Sequence, residues 1–418
     1  MRRSYLHLLG GVLFSLPLLF ASCGNGDNAL EEIIKNGGGS GGGGGSSEVT
    51  EITIDLTALD VKYLNDEKTQ LNLNVGDEVT LSFIIKPDEL ADTEVTLTSE
   101  DPTIVSIDGK KVKALKKGTT KVTAKAGDKE TVCTITVSIP GLLAGKFTIN
   151  ASDDQVQFSQ GNLQYQASTN TWRFAENQYD YVGNTVGNNT STGRDTQTDR
   201  IDLFGWGTAG HSFDTGYGTL YQPWETDNSE DTEYGPYNTS YGLYGDYAQG
   251  DWGTNAISNG GKTSNSGWRT LTKDEWDYLF STRSASTVDG IADARYAKAN
   301  LFGTTHGVIL FPDSYTHPDG VTLPTGINDG GATSWDGNSY TTDEWSKLEA
   351  AGCVFLPAAG SRGSTTINWV GAEGCYWSSS PDLSAKALYV WFYSSNLNPT
   401  ESNYRSSGYS VRLVRSAE

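Results

Sequence analysis

Methionine, histidine and cysteine are scarce in this chain: 418 residues hold one Met, four His and four Cys. The His are scattered, no zinc ligand pattern occurs, and neither a phosphate-binding loop nor a nucleophile elbow is present. Basic residues are also short, 30 Lys and Arg against 51 Asp and Glu, for a formal net charge of −21. The negative charge is spread along the chain without blocks, which leaves no basic footprint for nucleic acid or an anionic membrane surface. Acidity of this kind otherwise favours solubility. The apolar run Leu8–Phe20 is too short for an ordinary membrane-spanning helix.

What is abundant is glycine, at 49 residues, with 21 Tyr and 11 Trp. That is the profile of a loop-rich, mostly β protein, and the length allows two or three domains. All 11 Trp lie at or after Trp172, and only Tyr5 and Tyr63 among the Tyr precede residue 150. The change of character near residues 140–146 marks the main domain boundary.

Arg2 and Arg3, the apolar run Leu8–Phe20 and then Ala21-Ser22-Cys23 have the order of an export signal. Phe20-Ala21-Ser22-Cys23 resembles the lipobox of bacterial lipoproteins. The resemblance implies a signal peptide over 1–22, acylation of Cys23, and an outer-membrane lipid anchor on a protein facing the cell exterior. Plain secretion with an incidental Cys is the alternative. Residues 23–48 are a Gly/Ser-rich tether, flexible in composition; a cloned linker at Gly37–Ser47 is the competing account.

Residues 49–140 alternate apolar and polar positions, as in Ile52-Ile54-Leu56, Leu71-Leu73-Val75 and Cys133-Ile135-Val137. Turn residues such as Val75-Gly76-Asp77, Asp108-Gly109 and Gly127-Asp128 punctuate the runs. Period two with regular turns predicts an all-β sandwich. Leu73–Gly76, Ser99–Val105, Gly109–Ala114, Gly118–Ala124 and Cys133–Val137 resemble the bacterial immunoglobulin-like group 2 domain, which implies a spacer or adhesive stalk. Cys133 shares a face with Ile135 and Val137 and reads as a small buried hydrophobe.

Residues 141–418 open with strand-like pieces at Phe147–Ile149, Val156–Ser159, Leu163–Tyr165 and Trp172–Phe174. The loop-rich stretch from Val182 to Thr263 carries Trp206, Trp224, Tyr234, Tyr237, Tyr241, Tyr244, Tyr247 and Trp252. These aromatics read as satellite core under long loops, with a glycan-stacking array as the sharper alternative. Thr272-Lys273-Asp274-Glu275-Trp276 and Thr341-Thr342-Asp343-Glu344-Trp345 each predict a short helix opened by a capping box. Each is followed by an apolar strand, Val308–Phe311 and Val354–Leu356.

Trp268-Arg269-Thr270-Leu271-Thr272 with Glu275-Trp276 is similar to a signature of C-type-lectin-fold proteins related to the formylglycine-generating enzyme. Phe355–Arg362, Tyr376–Ser379 and Gly408–Arg415 resemble a major paralogous domain of Fibrobacter- and Bacteroides-like surface proteins, and the variable proteins of diversity-generating retroelements. The fold so implied is an Ig-like sandwich followed by an α+β, C-type-lectin-fold head. In the retroelement systems adenine mutagenesis turns Asn codons into Tyr, Ser, Asp and Thr codons. Ser, Tyr and Asn supply 13 of the 22 residues from Tyr389 to Ser410. Lys386, Trp391 and Glu401 cannot arise from mutated Asn codons, so they would be fixed by the template or else argue against diversification.

That mixture is also the composition of antibody paratopes, rigid aromatic anchors with adaptable polar neighbours. The candidate ligand-binding residues are therefore Tyr389, Trp391, Tyr393, Ser395, Asn396, Asn398, Asn403, Tyr404, Ser406 and Tyr409, for an unidentified protein or glycan on another surface. The competing account is that alternate residues of the run pack a strand. No cofactor and no catalysis are expected. The rival classes are a formylglycine-type copper oxidase using Cys353 and Cys375, and a structural subunit of a surface appendage. Those two Cys read first as free or structural thiols and second as a disulfide. Asp313, His317 and Asp319 are a weak calcium candidate that an ordinary turn explains better.

Overall fold

The computed structural model describes residues 48–65, 68–183, 188, 200–210, 241–261, 267–331, 334–363, 366–382 and 385–417. The export signal, Cys23 and the tether to Ser47 lie outside the described residues, as do Trp224, Tyr234 and Tyr237. The chain divides into two compact units, one ending at Ser138 and one beginning at Ile139.

The first unit holds nine strands: β1 (Glu51–Asp55), β2 (Leu71–Asn74), β3 (Glu78–Thr80), β4 (Ser82–Lys86), β5 (Thr96–Ser99), β6 (Val105–Asp108), β7 (Lys111–Ala114), β8 (Gly118–Ala126) and β9 (Lys129–Ser138). They form a four-stranded sheet β2-β9-β8-β5, a three-stranded sheet β3-β7-β6 and the pair β1-β4. The period-two pattern works as expected: Leu71, Leu73, Val79, Val105, Val112, Val122, Cys133 and Ile135 point into one shared core. Gly109 and Gly127 open the two-residue turns of the β6-β7 and β8-β9 hairpins at φ of 58° and 57°, where a side chain would be strained.

The second unit runs β10 (Phe147–Thr148), β11 (Gln155–Phe158), β12 (Leu163–Gln166), β13 (Thr171–Phe174), β14 (Arg200–Ile201), β15 (Arg269–Thr270), α1 (Lys273–Asp277), β16 (Tyr296–Leu301), β17 (Thr305–Leu310) and β18 (Ser339–Tyr340). It continues with α2 (Thr342–Ala350), β19 (Val354–Pro357), β20 (Ser361–Gly363), β21 (Thr366–Asn368), β22 (Glu373–Asp382), β23 (Lys386–Tyr393), β24 (Asn396–Tyr404) and β25 (Leu413–Ser416). β11 pairs with β25, so strands from opposite ends of the unit share the sheet β10-β11-β25-β15. The two apolar strands expected after the helices are neighbours, β17 antiparallel to β19, within the sheet β18-β16-β17-β19.

Both helices start as their sequences require. The Thr272 hydroxyl accepts from the Glu275 amide at 3.2 Å while the Glu275 carboxylate takes the Thr272 amide at 2.7 Å. Thr341 and Glu344 repeat the device at 3.3 and 2.9 Å. These reciprocal bonds satisfy amides that a helix start otherwise leaves open. α1 runs on into a π-helical turn, Tyr278–Thr282, and Trp276, Leu279 and Phe280 are buried. Trp276 joins a core with Phe158, Leu310, Leu356, Tyr376, Val390 and Phe392, whereas Trp345 and Leu348 of α2 join a second core with Phe311 and Phe355. Trp206 and Trp252 are fully buried, in keeping with satellite core under the loops, while Tyr241 and Tyr244 are exposed.

Candidate recognition face

The sheet β22-β23-β24 carries most of the Tyr/Ser/Asn-rich segment. Cross-strand partners Glu373 and Tyr393, Cys375 and Trp391, and Trp377 and Tyr389 fix one face of β22-β23. The register continues onto β24 through Tyr389–Glu401, Trp391–Asn398 and Tyr393–Asn396. Because side chains alternate, Val390 and Phe392 point the other way, into the core beside Tyr376. Gly374 faces Phe392, and a Cβ there would stand 2.1 Å from that ring, so only glycine admits this packing.

β24 bulges between these pairs: Pro399 and Thr400 together oppose Val390. Proline suits a bulge because it has no amide for the ladder. Asn398 fixes the bulge, accepting from the Thr400 amide at 3.0 Å and donating to a Glu401 carboxylate oxygen at 2.6 Å. Lys298, buried on β16, fastens the turn between β23 and β24 from beneath. Its ammonium donates to the carbonyls of Gly330 at 2.7 Å and Ser394 at 2.8 Å, and desolvation lowers it to about 8.

The ten candidate residues divide. Trp391 and Tyr393 are half-buried on the outer face with ring centroids 5.0 Å apart, flanked by half-buried Asn396 and Asn398. Ser395 is exposed in the turn. Tyr404 is 50% exposed beneath the Lys386 ammonium, one position out of register from Asn403 and hence on the opposite face. Three expectations are corrected: Tyr389, Ser406 and Tyr409 are buried, at 6%, 3% and 4% exposure. The segment after β24 folds back over the sheet, with Tyr409 bridging to Phe204 and Ser410 to Tyr376. The Tyr409 ring thereby packs 4.5 Å from both Trp377 and Tyr389. Asn403 is partly committed to this cluster, donating to the Tyr409 hydroxyl at 2.6 Å.

One residue at the rim carries no sequence signal. Trp369, between β21 and β22, is 67% exposed and stands at φ 59°, in the left-handed region. Its carbonyl accepts from the amides of Ala372 and Glu373 at 2.9 and 3.0 Å, so the turn abuts the end of β22 where Glu373 faces Tyr393. The Gly371 amide donates to Ala358 at 2.8 Å, and the Gly371 carbonyl meets His306 Nδ1 at 2.6 Å. A large apolar side chain is thus held on a costly, well-fixed backbone. Such outliers cluster at binding sites.

Other chemistry fares less well. Asp313 is already saturated: one oxygen accepts from the Thr148 amide and hydroxyl and from Gln155, the other from buried Arg283 at 2.7 Å. His317 meets the Tyr315 hydroxyl and the Val321 carbonyl. Among the described residues no group of three or more His, Cys, Asp or Glu is placed to hold a metal. Cys353 and Cys375 are buried thiols not joined in a disulfide, and Cys133 is buried as well. Burial pushes the Cys353 and Cys375 thiols up, away from the thiolate that cysteine chemistry needs.

Residues 60–137 match the family model of the bacterial Ig-like domain (group 2). The chain therefore carries such a domain within a mostly β architecture. Among solved structures, S-layer protein SbsC domains 4 and 5 is similar at 19% identity, over 22% of this chain and 52% of that one, with a TM-score of 0.16. A bacterial Ig-like domain-containing GH10 xylanase from termite gut is similar at 22% identity, over 19% of this chain and 20% of that one, with a TM-score of 0.13. No curated protein matches the chain.

Proposed function

We propose that this protein is a bacterial cell-surface lipoprotein that carries a ligand-binding head with a C-type-lectin fold on an Ig-like stalk. The lipobox-like Cys23 would anchor it in the outer membrane, and the Gly/Ser tether would let it reorient. The lectin-fold reading draws support from the two capped helices, the end-to-end β11-β25 pairing and the Arg269–Glu275 pair, bonded twice at 2.7 Å. The observation that carries the binding role is the outer face itself, where Trp391 and Tyr393 stand together beside Asn396 and Asn398. Aromatic anchors with short amides at their edge are a paratope in chemistry. A diversified copy would change Tyr393, Asn396 and Asn398 on this face and leave Trp391 and the core-facing Val390 and Phe392 alone.

The test is adhesion of cells displaying the full chain to immobilised mucin and to immobilised bacterial envelopes. W391A/Y393A should lower adhesion at least about fivefold at unchanged surface level, since anchors dominate interfaces. Equal adhesion by wild type and variant would remove the binding role. C23S should abolish incorporation of labelled palmitate.

A further inference from the structure

We infer that the outer face, extended by Trp369, takes a cationic side chain, above all arginine, from a basic segment of a protein partner. This rests on the ligand-binding role proposed for the head and names the chemistry of its ligand. Trp369 is the most exposed large apolar residue of the described chain, and its turn hydrogen-bonds to Glu373, which lies directly across from Tyr393. Across that pair, Trp391 and Tyr393 lie on β23 with ring centroids 5.0 Å apart.

Two carboxylates border these rings. Glu373 accepts from the Ser361 hydroxyl at 3.2 Å and the Cys375 thiol at 3.3 Å, and Glu401 accepts from Asn398 at 2.6 Å. All three donors are neutral, and neither carboxylate has a Lys or Arg partner among the described residues. Elsewhere in this unit Glu275 and Asp313 are each paired with an arginine. The neighbouring cations face away: Lys386 lies over Tyr404 on the opposite face, and Lys298 is buried under the turn. A guanidinium would stack on the rings and pair with a carboxylate at once, which an uncharged sugar cannot do. The net charge of −21 would draw a basic partner in over distance.

The experiment uses the full chain and three probes: blocked hexa-arginine, blocked hexa-lysine and maltohexaose. Calorimetric affinity and tryptophan fluorescence are read for wild type, W369N, E373Q/E401Q and the distant pair D319N/D343N. Hexa-arginine should bind more tightly than hexa-lysine, because a planar guanidinium stacks where an ammonium does not. W369N and E373Q/E401Q should each lose at least about tenfold, with unchanged melting cooperativity, while D319N/D343N should lose less than about twofold. Equal loss in D319N/D343N would reduce the effect to diffuse attraction and overturn the assignment. Binding of maltohexaose with no binding of hexa-arginine would also overturn it, yet leave the head a ligand-binding domain. Absence of hexa-arginine binding sinks the cationic assignment alone, because the adhesion of W391A/Y393A decides the binding role separately.

Discussion

The indole of Trp369 stands exposed on a backbone at φ 59°. In the sequence it is an unremarkable Trp between Asn368 and Val370; its left-handed φ and its exposure are properties of the folded turn. A non-glycine residue in that region costs about 1–2 kcal/mol, and asparagine tolerates it better than tryptophan. W369N is therefore expected to raise stability by roughly 0.5–1 kcal/mol, about 2 °C in melting temperature for a unit of this size. Differential scanning calorimetry checks this; a lower melting point would mean that the indole supports the fold. Composition marks the segment that holds Trp391 and Tyr393, both half-buried. Tyr389, Ser406 and Tyr409 share that composition and are buried, since composition carries no information about which face of a strand is covered.

At the scale of elements, local rules served best where a side chain bonds its own backbone. The Thr-x-x-Glu spacing at Thr272 and Thr341 foretells both helix starts because the capping box is complete within four residues. The sheet β22-β23-β24 is less legible. Its inner packing depends on Gly374 meeting Phe392, a contact between separate strands that no local pattern announces. G374A should be clearly destabilised, by about 1–3 kcal/mol or more, because the added methyl overlaps a ring held in the core beside Tyr376. Chemical denaturation measures it, and a neutral result would show that Phe392 is free to move aside. The bulge at Pro399-Thr400 and the Lys298 clamp on Ser394 are likewise products of tertiary approach.

For the whole molecule, acidity and burial combine in the pH profile. Desolvation raises buried Asp202 and Asp251 to about 6, against the hydrogen bonds that Asn188 and Thr270 give them. Both folded values lie above the unfolded one near 3.9, so between about pH 4 and 6 the native state holds protons that the unfolded chain has released. Stability therefore rises as pH falls from 7 through 6. Glu344 acts oppositely: the Thr341 amide holds it down at about 2, so its contribution is lost as pH falls from about 4.5. By these shifts the melting temperature should rise as pH falls from 7 to about 4 and drop only below that, and D251N should flatten the rise between pH 7 and 5. A melting temperature that climbs steadily from pH 5 to 8 would contradict both assignments. The division into an alternating β unit and an aromatic-rich one was readable from where Trp and Tyr begin, because period-two burial and ring packing leave different residues behind.

The seam between β11 and β25 joins Val156, Gln157 and Phe158 to Ser416, Arg415 and Val414. A pull on β24 reaches β25 through the residues between Tyr404 and Leu413, then crosses that seam to β11, itself paired with β10, the first strand of the unit. Mechanical load on that end of the unit is thereby shunted past the long chain between β11 and β22, to strands near where the unit begins.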